Sequence, residues 1–287
     1  MNKEFQLRFD ALRERIEARL ESYFAGDLSL LEAMRYSVAA GGKRIRPVFT
    51  LAFVEACRDH VCGTEEAMDA ACAVELLHTY SLIHDDLPAM DDDDMRRGKP
   101  SNHVAFGEAL AILAGDALQA EAFAKIAGCD LPAERVVKMI AALAEAAGAD
   151  GICGGQTFDM QGSDDLYRVH SMKTASLIAA AVKIGVIAAG GSAEQLSAAE
   201  EFANGVGLAF QIRDDVLDAT GSAEALGKPV GSDAEQGKQT FYTRYGAAEC
   251  ERLIAEHTKA AKDAVRAAFV DAELLCAIAD ELAMREN

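Results

Sequence analysis

Apolar side chains in the first segment fall at Phe5, Phe9, Leu12, Ile16, Leu20 and Tyr23, at spacings of four, three, four, four and three residues. That is the period of a helix with one buried face. Similar patterns recur over 28–39, 47–59, 65–86, 103–127, 133–148, 165–189, 193–219, 246–268 and 271–284, with abundant Ala and hardly any β-branched alternation. The pattern predicts an all-α fold. Pro47 stands where a helix would begin and Pro88 where one would end, and glycines punctuate the other segments. No low-complexity linker divides the chain, so residues 1–287 read as a single helical domain. One stretch breaks the pattern. Gly221 to Gly237, GSAEALGKPVGSDAEQG, has little apolar content and reads as a solvent-facing loop, either a lid over a site or a tolerated insertion.

Composition narrows the partners. The chain is 51% hydrophobic and carries a net charge of −19, which repels nucleic-acid phosphates and anionic lipid unless a local basic patch intervenes. No nucleic-acid partner and no stable membrane association are expected. The longest run free of Asp, Glu, Lys and Arg is Phe202 to Ile212, short of the roughly 18 residues of a membrane span. The N-terminal segment is charged throughout, with no apolar signal region, which suggests a cytoplasmic protein. Seven scattered cysteines without a CxxC pair read as reduced core thiols.

The chemistry concentrates in two acidic clusters. Asp85, Asp86 and Asp91 to Asp94 place six carboxylates within ten residues, directly after the apolar run Leu76 to Ile83. Asp85 and Asp86 would then lie at a helix C-terminus, where the macrodipole disfavours anions, so a cationic partner is expected. The alternative is a solvated acidic loop. A second cluster, Asp214, Asp215 and Asp218, begins 129 residues after Asp85 and places Asp214 and Asp218 on one helical face. If both helices face one cavity, their oxygen ligands suit Mg²⁺ bridged to a diphosphate. No window here meets the EF-hand pattern, which excludes that rival.

Cations cluster beside these motifs. Gly41-Gly42-Lys43-Arg44-Ile45-Arg46-Pro47 is a glycine turn leading into a helix start, a combination that gathers N–H groups and positive charge around an anion. Arg96, Arg97 and Lys99 follow the first acidic cluster, and Lys173-Thr174, Lys228 and Lys238 come later. Each taken singly is equally a surface cation balancing excess carboxylate. His78 lies two helical turns before Asp85 on nearly the same face. His84 suits either packing or a polar role.

GGKRIRP, HTYSLIHDDLPAMDDDDMRRGKPSNH, GGQTFDM, Lys173-Thr174, FQIRDDVLD and GKPVGSDAEQGKQT, in this order, resemble the trans-isoprenyl diphosphate synthase (polyprenyl synthetase) family over most of the chain, and within it the bacterial farnesyl-type members. The resemblance implies an isoprenoid-synthase-type bundle of about ten or more helices around a deep central cavity. It implies a homodimer and head-to-tail condensation of isopentenyl diphosphate with dimethylallyl or geranyl diphosphate. Carried over by residue, Asp85, Asp86 and Asp91 on one wall and Asp214, Asp215 and Asp218 on the other would hold three Mg²⁺, or Mn²⁺, on the allylic diphosphate. Arg96, Lys173, Thr174, Gln211, Lys228 and Lys238 would support the same diphosphate. Lys43, Arg46, His78 and Arg97 would bind isopentenyl diphosphate without metal. The loop Gly221 to Gly237 would close over the site.

Product length would be set by bulk beneath the first acidic cluster. Tyr80 and Ser81 lie five and four residues before Asp85, about 6 to 7.5 Å down the helix axis. In the family, an aromatic at the first of these positions, with the insertion Pro88-Ala89, goes with a fifteen-carbon product and makes Tyr80 the floor. A twenty-carbon product is the alternative, and a class I terpene cyclase is disfavoured by GGKRIRP and Arg97. A non-catalytic subunit regulating a partner synthase is disfavoured by intact aspartates in both motifs. Two features depart from the family. The chain ends Arg285-Glu286-Asn287 without the terminal basic residue that closes over isopentenyl diphosphate in bacterial relatives, and Phe241 to Tyr245 includes an unexplained Arg244.

Overall fold

The computed structural model describes residues 1–57, 62–220 and 239–285. The stretch Gly221 to Gly237, with Lys228 and Lys238, lies outside the described residues. In chain order the elements are α1 (Lys3–Glu21), α2 (Ser29–Val38), α3 (Ile45–Ala56), α4 (Met68–Asp85), β1 (Met95–Arg96), β2 (Lys99–Pro100), α5 (Asn102–Phe106), α6 (Glu108–Ala127), α7 (Ala133–Ala147), α8 (Ile152–Met160), α9 (Leu166–His170), a π-helical turn (Ser171–Ala175), α10 (Ser176–Ala189), α11 (Ala193–Thr220), α12 (Phe241–Ala268) and α13 (Glu273–Met284). Among the described residues the fold is all-α apart from the antiparallel β1–β2 hairpin, in which Met95 faces Pro100.

Helices α3, α4 and α10 form the centre. They are apolar on nearly every side, as helices enclosed by other helices must be. Helix α10 packs against α3, α7, α11 and α4, while α6 lies along α4 and α12 along α11. One contiguous apolar cluster draws residues from Phe9 in α1 to Leu282 in α13. At its centre the rings of Phe49 and Phe53 each meet Phe202 edge-on, at 5.3 and 5.4 Å between centroids, and Phe53 also meets Phe269 at 5.4 Å. All seven cysteines are free, and most are buried.

The structure departs from the periodic pattern where packing or backbone geometry overrides it. Helix α8 contains Gly154 and Gly155, poor helix formers, and the pattern misses it. It forms against the π turn, with the backbones so close that a Cβ on Gly155 would stand 2.4 Å from the Lys173 amide nitrogen. The predicted helix over 165–189 is interrupted by that π turn. Leu166–Ala189 is also long and apolar enough, by composition, to cross a membrane, which the search for a charge-free run misses, yet 61% of its apolar window is buried inside the protein. The predicted helix from 246 begins at a real break. Gly246 has φ 76° inside α12, and the turn before it is held by a capping box between Thr240 and Thr243.

Phe202 is fully buried against the rings of Phe49 and Phe53. Phe202→Ala is expected to lower unfolding stability by about 3–5 kcal/mol, read from urea denaturation. A loss below about 1 kcal/mol would show that this cluster does not anchor the core.

Candidate active site

Helix α4 ends at Asp85, and Asp86 caps it. The chain then folds back on itself. The Asp91 amide donates to the Asp85 carbonyl at 2.9 Å, and the Asp92 amide donates to the Leu87 carbonyl at 3.2 Å with Asp92 at φ 55°. These bonds occupy carbonyls the helix end leaves open and bring Asp91 beside Asp85. Burial raises the Asp85 carboxyl to about 6, with Asp91 and Asp86 adding to the rise and Lys173 and Arg96 opposing it. Asp86 is also raised, by burial above all, although Arg96 grips it through Nε at 2.9 Å and through Nη2. Arg96 also reaches Asp93 at 3.2 Å.

The second cluster projects from the C-terminal part of α11. Asp215 and Asp218 are buried and Asp214 is half-buried. Asp215 accepts from the Gln211 side chain at 3.2 Å and from the Phe241 amide at 2.7 Å, so one carboxylate also fastens the start of α12. Gln211 in turn accepts from the Thr174 hydroxyl at 3.1 Å. Lys173, beside Thr174 in the π turn, pairs with Asp159 of α8 at 2.6 Å. Burial works against the Lys173 charge, but Asp159, Asp85 and Asp91 outweigh it and raise its pKa. Lys173 is thereby the link between the two walls. It feels Asp85 and Asp91 of the first wall, and its neighbour Thr174 is bonded to the second.

Next to these walls lies a cleft of about 470 Å³, lined on its polar side by Lys43, Arg44, Arg46, Glu75, His78 and Arg97 and on its apolar side by Ile178, Phe210 and Leu282. Arg97 sits at φ 54° and donates through Nη1 to the Gly41 carbonyl. Gly42, at φ 136°, leaves room for it, since a Cβ there would stand 2.9 Å from the Arg97 guanidinium carbon. Burial, then Arg46 and Arg97, hold His78 neutral, well below the usual imidazole range. Burial also lowers Arg46, whose Nε has no hydrogen-bond partner. Four residues predicted to share one anion therefore do line one cleft. Arg44, from the same sequence motif, also borders the cleft, but its guanidinium is bonded to Glu17 and Glu75 and the residue is 2% exposed.

Beneath Asp85, Tyr80 is 6% exposed, with its hydroxyl 3.5 Å from the Cys153 sulfur and its ring edge-on to His84 at 5.5 Å. Ser81 bonds back to the His78 carbonyl at 2.9 Å. His84 packs into the space left by Gly115 of α6, where a Cβ would stand 2.1 Å from its ring.

Sequence reasoning missed three contributors. Asp159 and Gln156 sit in GGQTFDM without an assigned part, and the structure gives Asp159 the Lys173 pairing and leaves both amide atoms of the buried Gln156 without hydrogen-bond partners. Arg285 pairs with Asp214, donates to the Phe210 carbonyl at 3.2 Å and lies 3.8 Å over the Phe210 ring. The signal for Arg285 was present as a basic residue near the end of the chain. Arg244, unexplained in the sequence, donates to the Asp164 carbonyl at 3.3 Å and so ties α12 to the turn before α9.

Folding takes up a proton at Asp85, because its carboxyl rises from 3.8 to about 6. The stability this contributes is present at low pH and is lost as pH climbs through about 6. Asp85→Asn is therefore expected to stabilise the metal-free protein at pH 7.5 by about 1–3 kcal/mol, with the gain vanishing towards pH 4. Thermal melts in EDTA across that range check it. A destabilised variant at pH 7.5 would overturn the crowding argument.

The polyprenyl synthetase family model matches residues 28–273. Farnesyl diphosphate synthase of Geobacillus stearothermophilus is 43% identical over 96% of each chain. The large subunit 1 of the chloroplastic heterodimeric geranylgeranyl pyrophosphate synthase of Arabidopsis thaliana is 42% identical over 91% of this chain and 73% of its own. Among solved structures, geranylgeranyl pyrophosphate synthetase from Pyrococcus horikoshii superposes with a TM-score of 0.87 at 29% identity, covering 99% of both chains. With the family model spanning α2 to the start of α13 and the similarity reaching nearly end to end, this chain belongs to the polyprenyl synthetase family, the short-chain prenyltransferases.

Proposed function

We propose that this chain condenses isopentenyl diphosphate head-to-tail with dimethylallyl and then geranyl diphosphate to give farnesyl diphosphate. The observation that carries the reading is the adjacency of two different anion sites. One is a cation-lined cleft whose Arg46 carries an unpartnered buried nitrogen, and the other is a pair of carboxylate walls joined through Lys173, Thr174 and Gln211.

Isopentenyl diphosphate is assigned to the first, held by Lys43, Arg46, His78 and Arg97 without metal. The allylic diphosphate is assigned to the second, held by Arg96, Lys173, Thr174 and Gln211, with Lys228 and Lys238 assigned to it from the sequence alone. Asp85, Asp86 and Asp91, with Asp214, Asp215 and Asp218, would hold three Mg²⁺. The donor set fits, because all six are hard oxygen ligands. Among the described residues no group of three His, Cys, Asp or Glu is preassembled around a metal position. Mg²⁺ tolerates that, since it binds through one or two carboxylates and completes its shell with water and substrate phosphate. When bound, the metal neutralises charge developing on the leaving diphosphate.

Lys173, Arg96 and Thr174 hold the same diphosphate as its C–O bond breaks with the electron pair departing on oxygen. The isopentenyl double bond then attacks the allylic cation, and a proton passes from the new chain to the released diphosphate. Ile178 and Phe210 on the cleft wall keep water from the cation. A homodimer is proposed as the assembly. Ile112 and Leu113, 43% and 54% exposed on the outer face of α6, support it as apolar positions facing away from the core.

Purified protein with Mg²⁺, isopentenyl diphosphate and geranyl diphosphate is expected to yield mainly a fifteen-carbon alcohol after dephosphorylation. Asp85→Ala and Asp214→Ala are each expected to lose about three or more orders of magnitude in turnover while staying folded. Wild-type-like turnover in either would overturn the metal assignment. The relatives include geranylgeranyl synthases, so a twenty-carbon product is the second reading. Buried Tyr80, wedged against Cys153 beneath Asp85, favours fifteen. Tyr80→Ala is expected to shift the product to twenty carbons or longer, and an unchanged distribution would remove Tyr80 as the floor.

A further inference from the structure

The cations of the glycine turn before α3 differ in what holds them, and Arg44 has an unusual support. Arg44 sits at φ 49°, in the left-handed region that a residue with a Cβ adopts only where its surroundings dictate it. Its guanidinium is fully shielded. Nε donates to Glu17 at 2.8 Å, Nη1 to Glu75 at 2.7 Å, and Nη2 to the Val38 carbonyl at 2.6 Å and to Glu17 at 3.1 Å. One side chain thus ties α1, the C-terminus of α2 and α4 to the turn that carries Lys43 and Arg46.

Glu75 is the partner that needs explaining. Its side chain is 3% exposed, and it lines the same cleft as Lys43, Arg46, His78 and Arg97. A carboxylate in an anion site repels the ligand, and a buried ion pair is rarely retained for stability alone. Its neighbours indicate what it does there. Glu75 is the first carboxylate whose charge favours the cationic forms of Arg46 and Arg97, and it lies one turn before His78 on α4.

We propose that Glu75 and Arg44 are a positioning pair for the isopentenyl diphosphate site. Glu75 anchors Arg44, the anchored Arg44 holds the left-handed turn, and the turn keeps Lys43 and Arg46 aimed into the cleft. Arg44 spends its donors on the protein and is not itself a diphosphate ligand. The inference rests on the assignment of this cleft to isopentenyl diphosphate.

The test uses binding and kinetics on the full chain. Calorimetric titration of isopentenyl diphosphate in EDTA reads the cleft without catalysis. For Glu75→Gln, which keeps the shape and removes the charge, affinity is expected to fall about tenfold or more. KM for isopentenyl diphosphate should rise in parallel, with KM for geranyl diphosphate and kcat held within about twofold. Arg44→Met with Glu75→Met removes both charges together, and is expected to recover the melting temperature lost by either single change while leaving isopentenyl diphosphate binding weak. Wild-type affinity in a folded Glu75→Gln protein would overturn the pairing, as would affinity that recovers with melting temperature in the double variant, or equal rises in both KM values. Wild-type protein that binds no isopentenyl diphosphate in EDTA would overturn the cleft assignment and this inference together. Binding without turnover would overturn only the proposed reaction.

Discussion

Like charges cannot be crowded at a helix end without something to offset them, and the arrangement of this protein follows from that constraint. Asp85 and Asp86 stand where the dipole of α4 already disfavours anions, with Asp91 folded back onto them. The protein sets a cation beside three of the acidic groups at the site. Arg96 takes Asp86, Lys173 takes Asp159 while facing Asp85, and Arg285 takes Asp214. These pairs are half-buried, where the attraction between partners roughly offsets the loss of water. Such pairs can be exchanged at low net cost. On the function proposed above, a diphosphate arriving with divalent cations would replace carboxylate with phosphate at Arg96, Lys173 and Arg285 and would replace these cations with metal at the carboxylates they leave.

Exchange of this kind demands walls that do not collapse when partners change, and the helices provide them. The acidic end of α4 is held by a long contact with α6, made close by Gly115, and the acidic end of α11 by α12. Asp215 joins two tasks, since the carboxylate that belongs to the DDxxD motif also receives the first amide of α12. The π turn at Ser171–Ala175 is the one irregularity in the central layer, and it presents Lys173 and Thr174 at the junction of the two walls. An extra residue in a helical turn redirects side chains without ending the helix, which is why such turns recur where a polar group must emerge from an apolar helix.

The fold class and most helix spans were legible because burial of one face writes a 3.6-residue period into the chain. What escaped was structure that contributes no period. The β1–β2 hairpin has two residues in each strand, too few to alternate, and α8 is made of glycine-rich sequence stabilised by contact with the π turn. The candidate site was legible to a greater degree. Its aspartates and cations cluster in sequence because they sit at helix ends and turns, so residues adjacent along the chain remain adjacent in space. The partners that come from elsewhere were not: Asp159 reaches Lys173 across fourteen residues and Arg285 reaches Asp214 across more than seventy, and neither distance leaves a local mark.

The direction in which a cation points is the property a motif conceals most completely. GGKRIRP shows three positive residues in four positions, and charge alone treats them as equivalent. The structure separates them by backbone conformation. Arg44 occupies the left-handed position at the start of α3 and its guanidinium is bonded to Glu17 of α1 and Glu75 of α4, whereas Arg46, two residues on and already helical, lines the cleft with its Nε unpaired. The difference also shows in satisfaction: every nitrogen of the Arg44 guanidinium has a protein acceptor, and Arg46 keeps a buried nitrogen without one. A buried donor left unpaired is costly in a resting protein and is retained where a ligand completes it. Hydrogen-bond satisfaction therefore sorts these cations more sharply than position in a motif: Arg44 is bonded into the scaffold, and Arg46 keeps the buried donor that the proposed substrate would complete.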